Sequence, residues 1–148
     1  MVWTLGLLAA LLAGVMVWVR AAPSDPARWH GDPVTAAPAD CAVRAGAGDA
    51  RAACLLAGTP AEVLARLDAV ALASPRTQRL AGSPEEGRIT WVTRSALWGF
   101  PDYTTAAARA EGDGARLDLY ARLRFGQSDL GVNAARLGDW LTRLGSGQ

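Results

Sequence analysis

The stretch ARLDLYARLRF, residues 115–125, carries the clearest structural pattern in this chain of 148 residues. Apolar and polar side chains alternate along it, as they do in a β-strand with one buried and one solvated face. The apolar positions are Ala115, Leu117, Leu119, Ala121, Leu123 and Phe125, and the polar positions are Arg116, Asp118, Tyr120, Arg122 and Arg124. We therefore expect a sheet with one face on the core and a second face that exposes arginines to water.

Three more strands are predicted before this one. The predicted strands are residues 77–81, 88–98, 103–110 and 115–125. Glycine-containing turns at residues 82–87 and 111–114 would join them into two hairpins. The expectation is a sheet of four antiparallel strands.

Amphipathic helices are predicted on either side of these strands. Thr59 is followed by Pro60 and Glu62, which is typical of a helix N-terminus, and apolar residues recur at helical spacing over residues 60–73. A last helix carries its apolar residues at Val132, Leu137, Trp140, Leu141 and Leu144. With both helices on the apolar face of the sheet, the fold class is α+β, a two-layer sandwich preceded by an N-terminal transmembrane helix.

The N-terminal residues 1–20 form an apolar segment without a charged side chain before Arg20. As a helix it reaches roughly 28 Å, close to the thickness of a hydrocarbon core of about 30 Å. Trp3 and Trp18 lie near its two ends, where the rings would meet the membrane–water interfaces. We favour a retained single-pass anchor over a cleaved signal peptide, because no basic residue precedes the apolar run and the run is long.

The side of the membrane on which the domain lies is a separate question. Arg20 and Arg28 follow the helix, which would place the domain in the cytoplasm by the positive-inside rule. A pair of cysteines points the other way, and of the two sides we favour the periplasmic one by a small margin. The question stays open at this level.

Residues 21–58 are rich in Ala, Pro, Gly and Asp and show no helical or strand periodicity. We interpret them as a linker that becomes an irregular edge of the domain formed by residues 59–146. Cys41 and Cys54 both lie in this stretch. A disulfide between them would close a loop of about 14 residues and contribute roughly 3 kcal/mol, while two free buried thiols are an alternative. A metal site with His30 is disfavoured because no paired-ligand spacing is present.

The string FGQSDLGVNAAR, residues 125–136, is the most distinctive in the chain, together with GFPDY at residues 99–103 and the EEG turn at residues 85–87. These motifs resemble the DUF1499 family, a family of unknown function found in bacterial and some plastid proteins. The resemblance covers roughly residues 60–144, and the APSDPARWH segment after the apolar helix is similar to that of membrane-anchored bacterial members. The resemblance to this family implies a fold, but no activity, cofactor or substrate. Members often continue the motif with basic residues, where this chain has Ala134 and Ala135 before Arg136.

The candidate ligand-binding residues lie at the end of the last strand and on the polar sheet face. They are Arg122, Arg124, Ser128, Asp129, Asn133 and Arg94. A helix N-terminus beside arginines suits a carboxylate or a phosphate. The simpler interpretation is that Asp129 forms an Asx-turn, that Asn133 or Asp129 caps the last helix, and that the arginines are solvated.

Two functions follow as hypotheses. The first is a non-enzymatic, membrane-anchored accessory module that binds a protein partner, an anionic small molecule or lipid through its arginine face. The second is an enzyme acting on a small anionic substrate at Arg122, Arg124, Asp129 and Asn133. We expect no catalytic residue set, cofactor or metal, because the chain has one histidine and no phosphate-loop or dinucleotide motif. The net charge of +1 argues against nucleic acid as a partner.

Overall fold

The computed structural model describes residues 2–145. Its helices are α1 (Val2–Ala21), α2 (Pro26–Trp29), α3 (Pro60–Leu72) and α4 (Val132–Gly145). Its strands are β1 (Arg44–Ala45), β2 (Asp49–Ala57), β3 (Thr77–Ser83), β4 (Arg88–Arg94), β5 (Pro101–Glu111) and β6 (Gly114–Leu123). The predicted anchor begins at Met1 and the predicted domain ends at residue 146, and both of these ends lie outside the described residues.

The described strands form one antiparallel sheet in the order β1-β2-β6-β5-β4-β3. The α+β class is confirmed, but the prediction of four strands is wrong, since the sheet has six. The described chain has four helices where three were predicted, and the additional one is α2. The two additional strands come from the stretch interpreted as linker. Strand β2 pairs along its whole length with β6, from Asp49 opposite Arg122 to Ala57 opposite Gly114.

Strand β2 escaped the sequence prediction because its sequence, DARAACLLA, is rich in alanine, a residue depleted in strands. Ala50, Ala52 and Ala53 are nevertheless fully buried. Ala50 and Ala52 belong to the core that the two long helices cover. Their small side chains allow a helix to approach the sheet closely, so tertiary packing decides the conformation here and local propensity does not.

Helices α3 and α4 cover the apolar face of the sheet, as predicted. Helix α3 begins with a capping box in which Thr59 and Glu62 bond to each other's backbone N–H groups. Trp91 on β4 meets Trp140 on α4 edge to face, with ring centroids 5.5 Å apart. The core side chains of β6 are Ala115, Leu117, Leu119 and Ala121, all fully buried.

Most of the opposite, polar face of the sheet is covered by another segment of the chain, so the prediction of a solvated face is wrong. Residues 23–37, which we call the N-terminal cover, lie across it. Trp29 of the cover stacks on Tyr103 of β5 with ring centroids 3.9 Å apart, and Arg116 of β6 donates to the carbonyl oxygen atoms of Thr35 and Ala37. Beneath the cover, Asp118 is fully buried. The polar side chains of this face form hydrogen bonds with the main chain of the cover.

Cys41 and Cys54 form a disulfide in the structure. The backbone N–H of Cys41 also donates to the carbonyl oxygen of Ala53 at 2.8 Å. The segment that follows the cover is therefore tied to β2 by a covalent bond and a hydrogen bond.

Helix α1 is long and apolar enough to cross a membrane, a property that a signal sequence shares. Most of its side chains are exposed, so it is not a core helix of the domain. Its last turn contacts the domain: Val19 is buried, and Trp18 lies 5.5 Å from Phe125 between ring centroids.

Candidate functional site

Arg122 and Arg124 hold the N-terminal cover. The guanidinium of Arg122 donates to the carbonyl oxygen of Trp29 at 2.6 Å, and that of Arg124 donates to the carbonyl oxygen of Pro23 at 2.8 Å and to the Tyr103 hydroxyl at 3.1 Å. Burial lowers the pKa of Arg122, although nearby Tyr120 favours the charged form. These two candidate residues serve the fold of the chain itself.

Ser128, Asp129 and Asn133 build the start of α4. The carboxylate of Asp129 accepts hydrogen bonds from the backbone N–H groups of Gly131 at 3.0 Å and Asn133 at 2.8 Å. Burial alone would raise the pKa of Asp129, but these two hydrogen bonds outweigh it and hold the pKa below its usual range. The Asx-turn and helix cap proposed from the sequence are both present.

A second carboxylate, that of Asp102 on β5, lies close to this cap. Arg136 of α4 joins the two parts, since it donates to Asn133 Oδ1 at 2.5 Å and to Asp102 Oδ2 at 3.3 Å. Burial raises the pKa of Asp102, while the charge of Arg136 opposes the rise. Asp102, Ser128 and Asp129 line a small cavity of about 160 Å³. No pattern in the sequence indicated that Asp102 and Asp129 would meet.

Asn133 is fully buried, and its amide Nδ2 makes no hydrogen bond within 3.5 Å. The cluster is thus an arrangement of two acids, an amide and one guanidinium. It stabilises the junction between β5 and α4, and its acidic lining is unsuited to an anion.

Arg94 lies apart from the other candidates, at an uncovered corner of the polar face. It lines a cavity of about 390 Å³ with Arg20, at the end of α1, and Arg76, in the turn before β3. We call this the arginine cavity. Arg20 and Arg76 were not predicted as partners of Arg94. The three residues belong to separate elements, and no local sequence pattern connects them.

The region between β4 and β5 differs from the prediction, which extended a strand over residues 88–98. Strand β4 ends at Arg94 because the chain turns there: the N–H of Ser95 donates to the carbonyl oxygen of Phe100 at 2.9 Å, and Gly99 has a φ of 74°. The turn leaves Leu97 exposed and brings Phe100 within 6.1 Å of Phe125 between ring centroids.

His30 packs on the sheet and does not lie in a free linker. Its Nδ1 lies 2.8 Å from Thr90 Oγ1, and Arg88 Nε donates to its Nε2 at 3.3 Å. Among the described residues, no group of three or more His, Cys, Asp or Glu side chains is arranged to hold a metal ion.

Acidification from about pH 7 to about pH 5 should lower the free energy of unfolding through His30. Burial, assisted by the charge of Arg88, holds the pKa of His30 below 6.5 in the folded chain. The unfolded chain therefore takes up the proton at higher pH than the folded chain, and stability is lost as the pH falls below the unfolded value. Urea unfolding at several pH values checks this, with His30→Gln as a non-titrating variant. Equal pH dependence of wild type and variant would show that His30 contributes nothing.

Comparison with known proteins decides the family. The family model described as "Protein of unknown function (DUF1499)" matches residues 25–144. The chain belongs to the DUF1499 family. The matched range includes most of the N-terminal cover, β1 and β2, in addition to the region from α3 to α4.

Among solved structures, the DUF1499 chain is similar to the protein TTHA0849 from Thermus thermophilus, known from a crystal structure. The two chains are 14% identical, the similarity covers 68% of this chain and 99% of the other, and the TM-score is 0.37. No curated protein matches the chain.

Proposed function

We propose that this DUF1499 chain is a membrane-anchored accessory module without enzymatic activity, held by α1 and seated on the bilayer surface by the loops around the end of that helix. The observation that carries the proposal is the packing of α1. Its last turn is fixed to the domain, whereas the apolar side chains before it are exposed. An exposed apolar helix of this length is stable in a hydrocarbon environment and costly in water.

The topology places two loops beside the end of α1. Residues 95–100 connect β4 to β5, and residues 124–131 connect β6 to α4; we call these the interface loops. The register sets Arg94 opposite Pro101 and Asp102 opposite Leu123, so both loops leave the same end of the sheet. Any bilayer that α1 enters therefore lies next to them.

The side chains of the interface loops suit a membrane surface. Leu97 is 69% exposed and Leu130 is 93% exposed. An aromatic series runs from Trp18 on α1 to Phe125, Phe100 and Trp98, with neighbouring ring centroids 5.5 to 6.3 Å apart. Aromatic rings concentrate where hydrocarbon meets water, so this series fits the depth expected for the end of a membrane-spanning helix.

The periplasm-like side is part of the proposal and rests on the disulfide between Cys41 and Cys54. Disulfides persist in oxidising compartments and are rare in the cytosol. The opposing signal is Arg20 and Arg28, two arginines after the helix, and we give it less weight than the disulfide, because disulfides are rare in the cytosol.

Binding of a ligand across the whole arginine face has little support, because the cover takes up the guanidinium groups of Arg116, Arg122 and Arg124. An enzyme acting on an anion has less support still. The cavity at Ser128 and Asp129 carries two carboxylates, and the guanidiniums of Arg122 and Arg124 are bonded to the cover.

The anchor is tested by placing charge in α1 of the full-length chain. Wild-type protein should stay in the membrane pellet after an alkaline wash. The variant Leu8→Arg/Leu12→Arg puts two guanidiniums in the middle of the helix and should shift the protein to the soluble fraction, since each costs about 2.5 to 3.5 kcal/mol of insertion free energy.

A matched control is Ala65→Arg/Ala69→Arg, which adds the same charge at the same spacing on the exposed side of α3. It should remain in the pellet with the wild type. The intact mass of the pelleted protein must include residues 1–20. A soluble wild-type chain, or one that has lost those residues by processing, would rule out the anchor.

A further inference from the structure

We infer that the arginine cavity binds the phosphate group of a membrane lipid headgroup. This inference rests on the proposed anchoring by α1 and goes beyond it, because it assigns a ligand chemistry and a site. The three cationic residues are Arg20, Arg76 and Arg94. They come from the end of the apolar helix, the turn before β3 and the end of β4.

The three guanidiniums are positioned by the main chain around them. Arg20 Nη2 donates to the carbonyl oxygen of Leu97 at 3.0 Å, Arg76 Nε to that of Arg94 at 3.0 Å, and Arg94 Nη1 to that of Gly99 at 2.9 Å. A guanidinium has five N–H donors in a rigid fork. One bond to a carbonyl orients each group and leaves further donors for a ligand.

The charge of the cavity is not neutralised by the protein. Among the described residues, no carboxylate lies within 4.0 Å of any of the three guanidiniums, and the cavity lining contains no acidic side chain. Three like charges around one space repel each other, so an anion in that space is favoured. Phosphate suits it, because its oxygen atoms accept paired N–H donors from arginine forks.

The depth of the cavity matches the depth of lipid phosphates. Arg20 follows Trp18 and Val19 at the end of the apolar run, where the hydrocarbon core gives way to headgroups. Gly99 touches the Arg20 side chain so closely that an added Cβ would lie 2.7 Å from Arg20 Nε. The loop that carries Leu97 thus closes on the arginine, and it lies beside the helix that enters the bilayer.

A lipid is favoured over a free phosphate because apolar surface adjoins the cavity. Val92 and Ala96 line it, and the exposed Leu97 lies next to it in the chain. A lipid places its phosphate between the arginines and its acyl chains along α1. Free phosphate gains only the first of these contacts.

The test uses full-length protein in neutral detergent and native mass spectrometry. The probes are phosphatidylglycerol, diacylglycerol, which lacks the phosphate, and inorganic phosphate. Wild-type protein should retain phosphatidylglycerol and neither of the other two at equal concentration. Arg76→Ala/Arg94→Ala should bind phosphatidylglycerol about tenfold or more weakly, because it loses charge-assisted hydrogen bonds.

Two further variants separate the site from general charge and from misfolding. Gln78→Glu places a carboxylate at the cavity lining while leaving every arginine in place, and it should weaken lipid binding to a similar degree. Arg28→Ala/Arg44→Ala removes two exposed arginines outside the cavity and should bind like the wild type.

Unchanged binding by both cavity variants would overturn the inference, as would equal retention of diacylglycerol, or displacement of the lipid by equimolar inorganic phosphate. These results differ from failure of the anchor. If the protein stays in the membrane pellet after the alkaline wash but the cavity substitutions leave lipid binding unchanged, the proposed anchoring stands and only the lipid site is rejected.

Discussion

Replacement of Asp118 by alanine is expected to lower the free energy of unfolding by about 3 to 5 kcal/mol. Asp118 lies on β6 with none of its surface exposed. Its carboxylate accepts from Arg109 Nη1 at 2.6 Å and from Arg116 Nε at 3.2 Å. Without this carboxylate, Arg116 would keep a positive charge beneath the N-terminal cover with no counter-charge, and the large cost comes from that uncompensated charge.

The measurement is reversible urea unfolding of the full-length chain in detergent, followed by circular dichroism with the disulfide intact. Asp113→Ala is the matched control, because Asp113 is an exposed carboxylate in the turn between β5 and β6. Its loss should change stability by no more than about 0.5 kcal/mol. A loss below about 1 kcal/mol for Asp118→Ala would mean that the Arg116 guanidinium reaches water in the variant.

The sequence predicted those parts of the fold that depend on local pattern. The alternation around Leu117 and Leu119 placed the core face of β6 correctly, and Thr59 with Glu62 marked the start of α3. Both signals are contained within one element. The spacing of side chains along that element is enough to determine them.

The state of the polar face was not predictable in the same way. The sequence pattern is the same whether water or another segment covers the side chains of Arg116, Asp118 and Arg122. The segment that covers them has no periodicity, because it is neither helix nor strand over most of its length. Its fit depends on backbone carbonyl groups, which every residue possesses and which no sequence pattern reveals.

In the candidate site, too, local contacts were predictable from the sequence and contacts between distant elements were not. Asp129 as a helix cap follows from residues within one turn of it, and the structure contains those hydrogen bonds. The arginine cavity joins three elements that only the tertiary fold brings together. Arg94 was singled out for its place on a strand face, but its neighbours Arg20 and Arg76 could not be assigned without the sheet order and the docking of α1.

Replacement of Trp29 by alanine should release the N-terminal cover and reduce the free energy of unfolding by about 3 kcal/mol. Trp29 is 8% exposed and stacks on Tyr103 with an interplanar angle of 13°. Its carbonyl oxygen accepts from Arg122 and, at 3.3 Å, from the hydroxyl of Thr105. The ring holds this carbonyl in place, so its removal weakens the hydrogen bonds as well as the stacking.

Because the cover lies on one face of the sheet and not within the helix-covered core, the loss should be local at first. Hydrogen exchange should quicken for backbone amides in residues 23–37 while those of α3 and β2 remain protected. The disulfide at Cys41 should limit the opening on its C-terminal side.

Trp3→Ala is the matched control, since Trp3 is 88% exposed on α1 and its removal takes away a tryptophan without touching the cover. It should leave the exchange of residues 23–37 and the unfolding midpoint unchanged. If Trp29→Ala instead accelerated exchange equally across α3, β2 and the cover, then the cover would be part of one cooperative unit with the core. If it accelerated exchange nowhere, the hydrogen bonds from Arg116, Arg122 and Arg124 to the main chain would suffice to hold the cover without the ring.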